Sequence, residues 1–203
     1  MNNTPNSDMK KAILGLLDKL SGIDYISPDT IPNIDLYMDQ ITSFMDDQLE
    51  MSKRREDDKL LTKTMINNYT KNDLLPPPVK KKYSKEHLLS LIFIYYLKNI
   101  LSISDIHSVL NPITDKYFGN KEGYNMEDIY KEIFDMEKEE STKVLKEFTK
   151  KYQIAKNTFT EYPEEDQELL QTFSFICLLS FDIYIKKQMI EKMIDDVLTP
   201  EEK

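Results

Sequence analysis

The sequence predicts an all-α protein, and three observations carry that reading. Apolar residues recur at three- and four-residue spacing along most of the chain, alternating strand patterns are almost missing, and 203 residues contain only 4 glycines. So few glycines cannot supply the tight turns of an all-β fold, and no Gly-rich phosphate loop can be drawn from them. Apolar residues at 40% against 31% charged give enough material for a core, which excludes wholesale disorder.

Ser7 caps a first helix in which Met9, Ala12, Ile13, Leu16, Leu17 and Leu20 share one face, and Gly22 ends it. Pro28 and Pro32 mark residues 23–33 as a loop. Asn33 opens a second amphipathic helix over 34–49, with Ile34, Tyr37, Met38, Ile41, Phe44, Met45 and Leu49 on one side. Residues 52–58 form a mixed-charge linker without apolar content. Thr62 caps a helix over 62–72. Pro76, Pro77 and Pro78 then stop helical growth, because proline lacks the N–H donor and fixes φ; they favour an extended path.

Ser84 caps a helix over 85–99. Ser102, with Asp105 three residues on, forms a capping box for a short helix that Asn111 and Pro112 stop. Gly119 and Gly123 lie in a loop. A helix over 126–156 follows, with a break expected near Glu140 and Ser141, and Pro163 opens a last helix over 164–197. The chain divides into an N-terminal helix and loop (1–33), a central module (34–110) and a C-terminal helical region (111–203).

The last helix is apolar nearly all round between Phe173 and Ile185. Such a helix must be buried on every side. Two placements are open: the central core helix of the chain, or a helix that buries one side against a second subunit, giving a homodimer through the C-terminal helices. Cys177, within this run, is expected as a buried small hydrophobe. As the single cysteine it excludes a disulfide framework and a Cys-based structural zinc site. His87 and His107 lack a second ligand at helical spacing, so neither metal nor cofactor is expected. No nucleophile-base arrangement stands out, and the chain reads as a non-enzyme. The first residues lack the basic and apolar regions of a secretory signal. The apolar runs 88–101 and 173–185 fall short of the roughly 20 residues that span a bilayer. A cytoplasmic protein without membrane contact is the expectation.

The net charge of -9 argues at first against nucleic acid. Its distribution reverses that argument. Residues 1–52 carry 3 basic and 9 acidic side chains, residues 53–110 carry 11 and 6, and residues 111–203 carry 13 and 21. Screening limits electrostatic reach to about 8 Å at physiological salt, so the basic centre matters more than the total. On the helix 62–72, Leu61, Met65, Ile66 and Tyr69 fall on one side. Lys63, Asn67, Thr70 and Lys71 fall on the other, flanked by Thr64 and Asn68. That polar face has no acidic residue, and Lys, Thr and Asn are the types that bond phosphates and base edges. Lys80, Lys81 and Lys82 form the strongest basic cluster, with Lys85 after it.

The stretch from Leu61 to Leu89 resembles the DNA-binding domain of MerR-type regulators. Met65-Ile-Asn-Asn-Tyr69 lies where that family has a Thr-Ile-Arg-Tyr-Tyr-like run, and Asp73-Leu-Leu-Pro-Pro-Pro78 fits its helix exit. Lys80-Lys-Lys-Tyr-Ser84 fits the end of its wing, and Leu101-Ser-Ile-Ser-Asp-Ile106 its last helix. The resemblance implies a winged helix-turn-helix over 34–110. It would bind double-stranded DNA through Lys63, Thr64, Asn67, Asn68 and Lys71 on the recognition helix and Lys80, Lys81 and Lys82 on the wing, with Tyr69 packed on its own domain. Three features depart from the family: the charged segment 50–59 precedes the recognition helix, Asn67 replaces an Arg, and the wing lacks its Gly. They favour an alternative, a helical protein-interaction module that has lost DNA binding. The whole chain is closer still to a Firmicute family, domain of unknown function 1836, through Ile34-Asp-Leu-Tyr-Met-Asp-Gln-Ile41 and Leu61-Thr-Lys-Thr-Met-Ile-Asn-Asn-Tyr69. That family brings no biochemistry with it. A bacterial transcriptional regulator is the resulting expectation.

Overall fold

The computed structural model describes residues 26–199 and Gly15. The expected N-terminal helix lies almost wholly outside the described residues. The described chain is all-α, with one short two-stranded sheet. In order come β1 (Leu36–Tyr37), α1 (Met38–Gln48), α2 (Lys63–Lys71), β2 (Lys82–Tyr83), α3 (Lys85–Leu97), α4 (Ile103–Tyr117), α5 (Met126–Lys156) and α6 (Glu164–Met193). A π-helical turn, Ile194–Leu198, follows α6 directly.

Two compact units share the chain. One comprises Tyr25–Met136 and Met189–Lys203, the other Met1–Asp24 and Glu137–Gln188. The first is organised around α3, in which every residue from His87 to Tyr95 is buried. A helix without a polar face has to be covered on all sides. The cover comes from Ile41 and Met45 of α1, Ile66 and Tyr69 of α2, Ile106 and Leu110 of α4, Met126 and Tyr130 of α5, and Ile194 of the π turn. Tyr130 is fully buried; its hydroxyl donates to the Ile26 carbonyl at 2.5 Å, which ties the start of this unit to α5. The core helix of the chain is therefore α3 and not α6.

Several boundaries differ from the sequence reading. Residues 34–37 are not helical. Leu36 is buried and pairs with Tyr83, Tyr37 pairs with Lys82, and Ile34 is exposed. The helix begins only at Met38, where the Tyr37 N–H donates to Gln40 Oε1 at 2.9 Å. Asn111 and Pro112 do not stop α4, which runs on to Tyr117. An internal proline costs a helix about 3 kcal/mol. Here Ile106, Leu110 and Thr114 bury the core-facing side across it. The Asn111 side-chain amide also donates to the Asp73 carbonyl at 3.1 Å. No break occurs near Glu140; α5 is continuous. The charged linker is folded rather than loose. Asp58 Oδ2 accepts from the Arg54 and Arg55 amides, Leu60 and Leu61 are buried, and Lys98 Nζ donates to the Leu60 carbonyl at 2.6 Å.

Asn33 does not open α1, whose N-cap is Tyr37, but three later helix starts are formed as the sequence indicates. Thr62 Oγ1 accepts from the Met65 N–H at 3.2 Å. Ser102 and Asp105 exchange reciprocal bonds. The Asp166 and Gln167 amides donate to the Pro163 carbonyl.

In the second unit, Phe175 of α6 packs edge-on against Phe148 and Tyr152 of α5, at ring separations of 5.0 and 5.7 Å. Lys151 bridges Glu147 and Asp182 at 2.6 and 2.9 Å. Much of the remaining apolar surface of α6 is exposed, including Phe173, Ile176, Phe181 and Ile183, and so is Cys177. Among the described residues, then, α5 covers one face of α6 and much of the rest of its apolar surface is left exposed, which does not fit α6 as the core helix. Glu164–Leu198 is also long and apolar enough to cross a membrane, contrary to the shorter runs counted in the sequence.

His87, at the start of α3, lies between Tyr83 and Phe118, both edge-on to its ring. Its Nδ1 accepts from the Ser84 N–H at 2.9 Å, so the proton of the neutral ring sits on Nε2, which is buried without a hydrogen-bond partner. Burial holds its pKa below the ordinary value; the Pro77 and Pro76 carbonyls and the Asp35 carboxylate oppose this and are outweighed. The native state therefore binds this proton less readily than the unfolded chain. Stability is complete above about pH 6.5, the unfolded value, and falls as the pH drops below it toward the native pKa. Urea unfolding across pH 5–8 should show that decline, and His87→Phe, which fits the aromatic surroundings, should flatten it.

Candidate nucleic-acid interface

Helix α2 owes its orientation to two buried residues. Ile66 and Tyr69 face the core, and burial raises the Tyr69 pKa. That leaves Lys63, Thr64, Asn67, Asn68 and Lys71 all exposed on the other side. The expected polar face therefore exists as one continuous stripe, and Tyr69 packs on its own domain as expected. At the C-terminal end, Asp73 adopts a positive φ of 55°, and the Leu74 and Leu75 amides both donate to the Tyr69 carbonyl. Leu74 and Leu75 are driven into the core, which turns the chain off the helix before the prolines.

The next segment forms a tight hairpin. Val79 and Lys82 exchange both backbone hydrogen bonds at 3.0 Å. The two residues between them, Lys80 and Lys81, have φ values of 52° and 64°. Positive φ at both central positions is the requirement of a type I′ turn, normally met by Asn-Gly. Lys80 and Lys81 are exposed at the tip. Lys82 is half-buried on β2, with its Nζ 5.4 Å from the centre of the Tyr37 ring. Pairing of β1 with β2 fastens this hairpin to the start of α1, and α1 in turn touches both α2 and β2. Helix α1 thus carries the polar stripe and the lysine hairpin on one support.

Three cations counted in the basic centre are engaged elsewhere, the first being Lys53, which pairs with Asp46 at 2.7 Å. Lys85 pairs with Glu127 at 3.0 Å, and Glu127 also holds Lys131 at 2.9 Å. Lys131 and Lys85 together hold the Glu127 carboxyl below its usual range. Lys98 is spent on the Leu60 carbonyl. Lys63 has an acidic neighbour that sequence projection missed: it pairs with Asp39 in the first turn of α1, and both side chains are well exposed. Tyr37 was also missed, although the Gln40 three residues after it carries a capping-box signal.

Ser84 Oγ lies 2.9 Å from His87 Nδ1 within the capping box that starts α3, and among the described residues no group of three or more His, Cys, Asp or Glu could hold a metal ion. What the surface offers is hydrogen-bonding side chains and positive charge on rigid supports. No curated protein and no solved structure matches the chain. The family model described as domain of unknown function (DUF1836) matches residues 26–133, which span the buried α3, the α2 stripe and the lysine hairpin, and the chain belongs to that family.

Proposed function

We propose that the chain is a sequence-specific DNA-binding transcriptional regulator of the bacterial cytoplasm, with a MerR-like winged helix-turn-helix. Helices α1 and α2 are the helix pair, α2 enters the major groove, and the 79–83 hairpin is the wing. Asn67 and Asn68 read base edges, while Lys63, Thr64 and Lys71 contact phosphates or base edges. Lys80, Lys81 and Lys82 clamp phosphates, with Lys82 oriented by the Tyr37 ring.

The observation that carries this reading is the pair of lysines at positive φ. A left-handed conformation costs a non-glycine residue about 1–2 kcal/mol. The common Asn-Gly turn would relieve that strain without changing the register. Retained backbone strain that displays two cations at a hairpin tip beside a neutral-to-basic helix face points to a ligand for those cations. A duplex phosphate backbone beside a groove-bound helix is the ligand that uses both features.

Purified protein offered a genomic fragment library should enrich a defined operator, and failure to retain any duplex at about 50 mM salt sinks the reading. Replacing Lys80, Lys81 and Lys82 by Ala should weaken binding to every sequence alike and reduce the slope of log K against log salt by about 0.9 per lysine that touches phosphate. Lys80→Asn with Lys81→Gly should raise stability by about 1–2 kcal/mol in urea unfolding while weakening DNA binding, because strain and charge leave together.

The Lys63–Asp39 pair favours a second reading, a helical interaction module that has lost DNA binding. The two readings part on Asp39→Asn. A DNA-binding face gains affinity, about 3- to 10-fold at low salt, when a carboxylate beside the phosphates is neutralised. In an interaction module the substitution leaves the affinity for DNA unmoved.

A further inference from the structure

We infer that the base pairs beneath the centre of α2 are A·T, with their adenines held by Asn67 and Asn68. This rests on the DNA-binding reading and narrows it from duplex DNA to an operator core of stated composition. Ile66 and Tyr69 fix the inward side of the helix. Projection at about 100° per residue then places Thr64, Asn67, Asn68 and Lys71 within about 50° of the outward direction. These are positions i, i+3, i+4 and i+7, and all four are exposed. They form the stripe that meets base edges when such a helix lies in a major groove.

The chemistry of the stripe is selective. Guanine presents two acceptors and is read by Arg or Lys; cytosine presents a donor and is read by Asp or Glu. Adenine presents one acceptor and one donor, which match the two ends of an Asn or Gln amide. Both central residues here are Asn. The stripe has no acidic side chain; Asp39 meets Lys63 at its flank. The chain has two arginines, Arg54 and Arg55, and neither lies on α2 or the hairpin. Lys71, in the last turn, is the one side chain of the stripe suited to guanine. Thr64, in the first turn, offers a methyl group to the methyl of thymine.

The two amides are also uncommitted. Thr70 Oγ1 donates to the Ile66 carbonyl at 3.2 Å, and Asn72 Nδ2 to the Asn68 carbonyl at 2.8 Å, so those side chains serve the helix itself. No described residue bonds the side chain of Asn67 or Asn68. They meet a base without giving up a bond inside the protein. The helix that carries them is fixed at both ends, by the Thr62 cap and by the Leu74 and Leu75 amides on the Tyr69 carbonyl.

The test starts from the site that the full chain enriches from random duplex DNA at about 50 mM salt. Its core should be A·T. Placing 7-deazaadenine in that core removes the N7 acceptor and keeps the base pairing, and should weaken binding at least about 5-fold. Asn67→Ala with Asn68→Ala should bind the two duplexes alike. Circular dichroism should show the helix retained, since alanine suits an exposed helical position. Asn67→Arg should move the preference at its base pair from A·T to G·C. A selected core of G·C pairs, or equal wild-type affinity for the adenine and 7-deazaadenine duplexes, overturns the inference and leaves DNA binding standing. So does a 7-deazaadenine effect that persists in the double alanine variant, since another element then reads the core. Retention of no duplex at all overturns both.

Discussion

Helix α3 buries nine consecutive residues, and that single constraint organises the surrounding unit. Each fully buried Leu, Ile or Phe contributes about 1.5–3 kcal/mol, but only if something covers it. The core that α3 joins draws buried residues from five other segments. Helix α2 presents Lys63, Asn67 and Lys71 to solvent because Ile66 and Tyr69 are committed inward. The hairpin stands where it does because Tyr83, at its base, is buried and paired with Leu36. The candidate interface is in this sense the outer surface of a packing solution.

What the sequence made legible was local. Thr62, Ser102 and Pro163 announced helix starts because a cap needs only the next three or four residues. The extended path of Leu36 and Tyr37 was not legible, because its cause is a partner more than forty residues away. Proline 112 looked like a stop because its local cost is visible and the compensating burial of Ile106, Leu110 and Thr114 is not. The apolar circumference of α6 was legible, but which neighbour covers it was not: among the described residues α5 packs against it, through Phe148 and Tyr152.

The same division holds for the site. The stripe on α2 follows from helical periodicity, which placed Lys63, Asn67 and Lys71 outward but also put Thr70, which is half-buried, on that face and the exposed Met65 on the other. The backbone conformation of Lys80 and Lys81 leaves no compositional trace, since a double positive-φ turn is normally marked by Asn, Asp or Gly and lysine carries no such signal. Asp39 and Tyr37 belong to a different element from the residues they touch, so no projection of a single helix could bring them in.

The hydrogen bond from Tyr130 to Ile26, and the burial of Ile194 in the same core, have a consequence for biosynthesis. The unit built on α3 is not contiguous in the chain: its last core residue follows the whole α5–α6 hairpin. A ribosome adding about 5–20 residues each second therefore holds the nearly finished core without its final side chain for several seconds. During that interval the apolar surface of α4 that the Ile194 turn covers stays open, and the nascent chain offers it to chaperones or proteases.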